Sequence, residues 1–241
     1  MSVAGSDSDV AVLDSGKAIM GIVGHDLRTP ISTVLSAAEL LLMRGGLGEK
    51  DAELTRKIVR SASRAGRLID QVLDLTRSRL GGGIPIDPVP FDLNDLCWQV
   101  MNETELNHPN RPLRVDLRGE LGGVWDRDRL YQLLGNLVGN AVQHGEPRTA
   151  IDLRAHGRAT EVVIEVVNRG EPIPAEMLPF IFDAFRQVRT AHPTRAGGLG
   201  LGLFIAKEIA RAHGGSITVA SSEREGTTFA VSLPRGTVGA I

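Results

Sequence analysis

Seven apolar or small residues between positions 54 and 75 recur at alternating intervals of four and three. They are Leu54, Ile58, Ser61, Ala65, Leu68, Val72 and Leu75. This heptad pattern is typical of helices that pack lengthwise, and it predicts a helix over residues 51–80. A second apolar periodicity predicts a helix over residues 15–44, and Gly45, Gly46 and Gly48 interrupt the chain between the two helices.

These two helices predict an αα-hairpin with more apolar surface than a single hairpin can bury. Two hairpins from two copies of the chain would bury both seams in a dimeric four-helix bundle. The alternative is a hairpin that packs on the second domain of its own chain. We expect the homodimer.

After residue 81 the pattern changes to short strands and amphipathic helices. Helices are predicted at 92–104, 125–144 and 201–213, and strands at 113–117, 151–155, 161–167, 217–220 and 228–233. This mixture predicts an α+β fold: a helical hairpin, then an α/β sandwich whose mixed sheet is covered by helices on one face. The predicted organisation is a disordered tail at 1–13, a helical domain at 14–81, a linker at 82–88, the sandwich at 89–235 and a tail at 236–241.

Composition narrows the class of protein. A formal net charge of −2 over 241 residues does not suggest a protein that binds nucleic acid or an anionic membrane, since such proteins usually carry a strongly basic face. No apolar run approaches the roughly 20 residues of a transmembrane helix, and the N-terminus lacks the features of a signal peptide, so a cytoplasmic location is expected. Cys97 is the only cysteine, which excludes an internal disulfide, and its apolar neighbours predict a buried thiol.

The first predicted helix contains a histidine in a setting suited to nucleophilic chemistry. A neutral imidazole is a nucleophile near pH 7, and Asp26 could accept the Nδ1 proton of His25 and leave Nε2 to attack. Arg28 and Thr29 follow His25 by three and four residues, on its face of the helix, where they could neutralise a phosphate and hold a water. Pro30 cannot donate to the carbonyl of Asp26 and opens the helix there. The alternative is an ordinary surface histidine beside a kinking proline.

A pair of asparagines marks the helix predicted at 125–144. Asn136 and Asn140 are four residues apart and share one face, opposite an apolar stripe. Their carboxamide oxygens are hard ligands that suit a Mg²⁺ ion bridging phosphates, and Gln143 and His144 extend the polar face. The alternative is a solvated helix face.

Glycines alternate with leucines at the start of the helix predicted at 201–213. The residues are Gly198, Leu199, Gly200, Leu201, Gly202 and Leu203. Glycines allow backbone N–H groups to approach a phosphate, and a helix N-terminus favours an anion. This is not a Walker loop, since no Gly-Lys-Ser/Thr follows, and it lacks the strand context of a dinucleotide-binding fingerprint.

Three shorter segments complete the pattern. The strand predicted at 161–167 runs into the turn at residues 168–174 (NRGEPIP), and residues 180–186 (FIFDAFR) place three phenylalanines close together. By their spacing alone, the phenylalanines are core residues that anchor a short helix. Residues 226–229 (GTTF) lead into the last strand.

In this order the His25 segment, the asparagine helix, the Asn-x-Gly turn and the glycine loop resemble the sensor histidine kinases of two-component signalling systems, over nearly the whole chain. The resemblance implies a dimerising phosphoacceptor hairpin and an ATP-binding domain of the type shared with gyrase and Hsp90. It implies His25 as the phosphoacceptor, Asp26 as acid/base, and Asp26 with Thr29 as phosphatase residues. It also implies Asn140 as a Mg²⁺ ligand and Asn136 as a contact to ATP and Mg²⁺.

Further nucleotide contacts are implied with departures from the family pattern. Asn168 stands where the family usually has an aspartate that accepts a hydrogen bond from the adenine amino group, so weaker ATP affinity is expected. His144 falls where an aromatic often stacks on adenine, and Gln143 falls where a basic residue usually touches phosphate. Arg186, Arg189 or Arg195 could substitute for the arginine that the family often has at the position of Gln187. The resemblance adds Gly170, Ile173, Phe182, Thr227 and the glycine loop to the site.

The activity implied by the resemblance is ATP-dependent autophosphorylation of His25. The phosphoryl group would then pass to an aspartate in the receiver domain of a separate response regulator, with phosphatase activity toward that regulator. An upstream sensor domain or protein is also implied. The alternative is a degenerate kinase acting as a regulator-binding or phosphatase module. A chaperone-like ATPase would explain the pocket but neither the His25 segment nor the heptad hairpin.

Overall fold

The computed structural model describes residues 6–80, 82–186 and 199–236, and in the first helix it describes burial at Gly24 and side chains from Asp26 onward. The chain divides into two compact units, Met1–Gly83 and Ile84–Ile241. Among the described residues, no helix combines the length and the hydropathy that crossing a bilayer requires.

The first unit is an antiparallel helical hairpin. Its helices are α1 (Ser6–Arg44) and α2 (Glu49–Arg79). The two helices approach closely at Gly24, where an added Cβ would lie 2.5 Å from Cδ1 of Leu73. At Gly66 the packing is ordinary, since an added Cβ would lie 3.7 Å from Cγ2 of Ile31. The hairpin predicted from the two periodicities is therefore present.

Helix α1 begins at Ser6, so the prediction of a disordered tail through residue 13 is wrong for residues 6–13. The physical reason is visible in the sequence. Serine and aspartate at the start of this stretch favour a helix N-terminus, and residues 10–13 (VAVL) carry neither glycine nor proline to stop the helix.

The second unit is an α/β sandwich. Its elements are β1 (Val89–Asp92), α3 (Leu93–Asn107), β2 (Leu113–Arg118), β3 (Gly122–Trp125), α4 (Arg127–His144), β4 (Ile151–Gly157), β5 (Glu161–Asn168), a 3₁₀ turn (Leu178–Phe180), α5 (Gly202–Ala212), β6 (Ser216–Ser222) and β7 (Gly226–Pro234). Five strands form a mixed sheet in the order β2-β4-β5-β7-β6, in which β2 and β4 run parallel and the other neighbours antiparallel.

The helices cover one face of this sheet. Helix α4 packs on β4 and β5 and against α3 and α5. Along β5, Val162, Ile164 and Val166 are buried, whereas the residues between them are partly exposed. Because side chains alternate between the two faces of a strand, burial on one face only means that one face is covered. The predicted fold, a helical region followed by a mixed-sheet α/β domain, is confirmed.

The single cysteine belongs to the core of this unit. Cys97 lies in α3 and is 0% exposed. Burial, helped by the negative charge of Asp92, raises the pKa of the Cys97 thiol to about 12. The thiol therefore stays protonated at neutral pH and is a packing residue, since the thiolate is the reactive form.

Two short strands were not predicted. β1 and β3 pair as a separate antiparallel ribbon in which Val89 faces Trp125, and α4 therefore starts at Arg127, with Asp126 accepting from the Arg129 N–H (3.0 Å) as its N-cap. Four-residue strands that contain proline or paired glycines show no measurable alternation. The unit also begins inside the predicted linker, because the Asp87 N–H donates to Asp126 Oδ2 (2.8 Å).

Candidate functional site

The histidine segment lies on α1 near its contact with α2. His25 belongs to the helix, and its side chain lies outside the described residues. Gly24 just before it is buried against Leu73, whereas Asp26 and Thr29 just after it are exposed. Pro30 stands inside the helix. The segment is therefore displayed on the hairpin surface beside a close helix crossing.

Arg28 has a partner that the sequence did not reveal. Its Nη2 lies 2.6 Å from Oδ1 of Asp70 on α2, and the two side chains are 46% and 41% exposed. Such exposed ion pairs contribute little to stability, so the guanidinium can exchange this carboxylate for another anion.

In the second unit, polar side chains from three strands meet at one end of the sheet. Asn168 ends β5 and is 4% exposed, and its register partner on β7 is Thr227, which is 6% exposed. The Thr227 and Ser221 hydroxyls are 2.7 Å apart, and Ser221 Oγ accepts from the Ile173 N–H (2.9 Å). The structure thus brings three predicted residues together and adds Ser221, which no spacing in the sequence marked.

The end of α4 is joined to the turn after β5. The Glu146 N–H donates to the Arg169 carbonyl (2.6 Å), and Gly145 and Gly170 form an isolated antiparallel bridge. His144 lies at the last position of α4. Partial burial lowers the pKa of the His144 imidazole, so the ring is neutral at pH 7 and suited to stacking on a flat, uncharged group.

Asn136 is the most informative polar residue in this unit. Its Nδ2 is buried and has no hydrogen-bond partner within the described part of the chain. A Cβ added at Gly202, the first residue of α5, would lie 3.5 Å from Asn136 Oδ1. A buried, unpaired amide costs roughly 1–3 kcal/mol, so its retention beside a helix N-terminus indicates a ligand that completes it. Asn140, one turn later, is half-buried.

The N-terminus of α5 suits an anion. Its N-cap, Leu201, makes no side-chain capping bond and is fully buried, so Leu201 belongs to the core and offers a ligand only its backbone. Uncapped N–H groups and the helix dipole together favour a phosphate. Leu199 is 40% exposed, Leu203 is half-buried, and Gly198 lies outside the described residues.

Gly200 is tied to the phenylalanine segment. It has φ +71°, and a Cβ there would lie 2.7 Å from the Arg186 carbonyl oxygen. Its own carbonyl accepts from the Phe185 N–H (2.9 Å), and Phe185 itself has φ +65°. Phe185 and Arg186, before the undescribed stretch 187–198, therefore contact Gly200, which follows it.

The phenylalanine segment is anchored to the sheet. Phe182 packs edge-on against Phe229 of β7, with ring centroids 6.2 Å apart. The Arg186 guanidinium lies over the Phe180 ring, 5.7 Å from its centroid. Phe182 therefore anchors the segment as predicted, but the prediction that all three phenylalanines are core residues is wrong, because Phe180 is 46% exposed and Phe185 is 55% exposed. The segment also forms a 3₁₀ turn (Leu178–Phe180) instead of an α-helix. Gln187, Arg189 and Arg195 lie outside the described residues, and Gln143 is half-buried on α4.

Both units match known protein families. Residues 18–81 match the His Kinase A (phospho-acceptor) domain, and residues 125–237 match the histidine kinase-, DNA gyrase B-, and HSP90-like ATPase. The chain is 33% identical over 211 residues to the probable sensor histidine kinase TcrY of Mycobacterium tuberculosis, which is 87% of this chain and 44% of TcrY. It spans less than half the length of the first curated relatives that it matches.

Two solved structures are similar. Full-length ShkA in complex with AMPPNP is 25% identical, with a TM-score of 0.68 over 92% of this chain and 47% of ShkA. The catalytic domain of histidine kinase ThkA is 30% identical, with a TM-score of 0.53 over 62% of this chain and 96% of that domain.

The two domain matches occur in the order of the two units. His25 lies within the first match, and the asparagine helix, the Asn168 turn and the α5 N-terminus lie within the second. The chain belongs to the sensor histidine kinases of two-component signalling systems.

Proposed function

We propose that the chain catalyses ATP-dependent phosphorylation of His25 and passes the phosphoryl group to an aspartate on a response regulator. The observation that carries the proposal is that Asn136 Nδ2 is buried, has no hydrogen-bond partner among the described residues, and lies beside the N-terminus of α5, which has no side-chain cap. A site that lacks a partner for a buried donor and exposes helix N–H groups is complementary to a polyphosphate.

The nucleotide would lie along the elements that meet around α4. The α5 N-terminus with Gly200 and Gly202 holds the phosphates, and His144 and Asn168 contact the base. Gly170, Ile173 and Thr227 close the polar end of the pocket. Phe182 and Arg186 hold the boundary of the stretch 187–198.

A magnesium ion fits this site only when the phosphates of a nucleotide supply some of its ligands. Within the described ranges, no group of three or more His, Cys, Asp and Glu could hold a metal ion. Asn140 and Asn136 offer two neutral oxygens on one helix face, which suits an ion that takes its remaining ligands from phosphate and water. When bound there, Mg²⁺ neutralises phosphate charge.

The transfer step is a displacement at phosphorus. A nitrogen of the His25 imidazole forms the N–P bond while the bond to the ADP oxygen breaks, and Asp26 takes the imidazole proton. Arg28 exchanges its exposed contact with Asp70 for the phosphoryl oxygens. In the phosphatase activity toward the response regulator, Thr29 and Asp26 position a water that attacks the phosphorylated aspartate of the regulator.

Incubation with Mg²⁺ and ATP radiolabelled at the γ-phosphate tests this function. We expect the purified chain to take up label that is stable in alkali and lost in acid, as a phosphorus–nitrogen bond requires. A chain that binds ATP but takes up no label would act as a regulator-binding or phosphatase module instead, and the proposal would be wrong.

The partner that completes the hairpin is a second copy of the chain. An apolar stripe is left open on the hairpin of one copy. It consists of three residues of α1 spaced seven apart and three residues of α2, and each of the six side chains is 44–56% exposed. They are Leu27, Val34, Leu41, Leu54, Ile58 and Val72. The residues of α2 that are most buried, such as Ala62 and Leu73, are offset from this stripe. A heptad stripe left open in one copy supports a dimeric bundle.

Ile58→Asp is expected to convert the dimer to a monomer, because it places an unpaired charge in an apolar seam. Sedimentation equilibrium at micromolar concentration measures the mass directly. Arg60→Glu, two residues away on the other side of the exposed helix, serves as the control and should stay dimeric. A monomeric wild-type chain would favour the alternative in which the hairpin packs on its own second domain.

Two further partners are part of the proposal. The regulator supplies the receiving aspartate through its receiver domain, and an upstream sensor domain or protein controls the hairpin. Since ATP is the phosphoryl donor, this part of the protein would lie in the cytoplasm, which the location of a fluorescent fusion would test.

A further inference from the structure

Arg111 lies in the loop before β2, and its guanidinium group contacts backbone carbonyls at the C-terminus of α4. Its Nη1 donates to the carbonyls of Gly145 (3.3 Å) and Glu146 (2.6 Å), and its Nη2 donates to the carbonyl of Ala141 (3.3 Å). The last carbonyls of a helix have no partner inside the helix. A cationic fork placed there satisfies them and complements the negative end of the helix dipole.

The base of this side chain is itself held in place. The Arg111 N–H donates to the His108 carbonyl (2.9 Å), and the neighbouring Pro112 carbonyl accepts from the Ile151 N–H of β4 (3.0 Å). The fit at the far end is close, because a Cβ added at Gly145 would lie 2.2 Å from Arg111 Nη2. The guanidinium is therefore built into this corner.

The corner is continuous with the predicted base-binding end of the nucleotide site. Glu146, whose carbonyl Arg111 holds, donates its N–H to Arg169 (2.6 Å), and Gly145 bridges to Gly170. A Cβ at Gly170 would lie 2.6 Å from the His144 carbonyl oxygen. The chain of contacts thus runs from Arg111 through the end of α4 to the turn that carries Asn168.

We infer that Arg111 is a positioning residue of the nucleotide site, which holds the end of α4 and the turn after β5 in the shape that receives the base. This inference rests on the proposed function, because it concerns the same pocket. Burial lowers the pKa of the Arg111 guanidinium in spite of the opposing Glu146 carboxylate. The group remains a cation because the ordinary pKa of arginine lies far above neutral pH. Lysine, a point charge, cannot reproduce donation to three carbonyls from one planar fork.

The test compares two probes on the full chain. Binding of the fluorescent nucleotide trinitrophenyl-ATP reports the whole pocket, and its displacement by inorganic tripolyphosphate reports the phosphate end alone. For Arg111→Ala we expect the Kd for the nucleotide to rise about tenfold, the size of effect usual for a residue that orients a contact group. The inhibition constant of tripolyphosphate should stay within about twofold, since α5 is not touched.

Matched variants keep the result interpretable. Arg111→Lys retains charge and bulk and should fold, yet its nucleotide Kd should also rise. Arg114→Ala removes an arginine that is 71% exposed and paired with Asp152, and should leave both constants unchanged. In autophosphorylation, the Arg111 variants should raise the KM for ATP and leave the rate at saturating ATP unchanged.

Three results would overturn the inference. An unchanged Kd in both Arg111 variants, with a wild type that binds nucleotide, would remove the positioning role and leave the proposed function intact. Equal weakening of nucleotide and tripolyphosphate would mean general loosening of the domain. A wild type that binds neither probe would overturn the proposed function itself.

Discussion

Replacing His25 with glutamine is expected to abolish incorporation of the γ-phosphoryl group from ATP. Glutamine has a helix propensity at least as high as that of histidine but offers no nucleophilic ring nitrogen. The nucleotide site lies in the other unit, so the Kd for ATP should not change. Radiolabel incorporation after gel separation, with ATP binding measured by calorimetry on the same sample, gives both numbers.

The control is another histidine that is accessible but outside the proposed chemistry. His108 is exposed at the C-cap of α3, and His108→Gln should take up label at the wild-type rate. Label retained in His25→Gln would mean that a different residue is the acceptor. Loss of label in both variants would point to a folding defect.

The elements of the fold that sequence patterns predicted are those with a strong local period. Helix α4 and strands β4 and β5 repeat their burial every 3.6 or two residues, and the sequence of α2 carries a heptad of apolar and small residues, so each element can be recognised from its own stretch of chain. The β1–β3 ribbon has no such pattern, because its stability depends on pairing between Val89 and Trp125, which are distant in sequence.

The candidate site divides in the same way. The asparagines of α4 and the glycines before α5 were predicted because they are close in sequence and their chemistry is specific. Contacts between distant residues were not predicted: Asp70 lies 42 positions from Arg28, and Ser221 lies 48 positions from Ile173. Arg111 is an isolated basic residue before a strand, and only the fold shows that it meets the end of α4.

Asn136→Ala is expected to reduce autophosphorylation about 100-fold, the loss typical of removing one preorganised polar contact to a reacting group. The same change should not lower the free energy of unfolding. Asn136 Nδ2 is buried without a partner in the described structure, so the variant removes an unsatisfied donor and replaces a poor helix former with the best one. Urea unfolding and initial rates of labelling, measured on one preparation, test both parts.

Leu137→Ala makes the matched comparison one residue further along α4. Leu137 is 0% exposed, and its truncation should cost about 3 kcal/mol of stability through lost burial and a cavity. Activity at low temperature, where the variant remains folded, should nevertheless persist, because Leu137 faces the core. If Asn136→Ala were instead destabilised as Leu137→Ala is, its amide would be a structural group. If Asn136→Ala loses activity but keeps its stability, while Leu137→Ala loses stability but keeps its activity, the Asn136 amide is needed for the reaction and not for folding. Its missing hydrogen-bond partner would then arrive with the substrate.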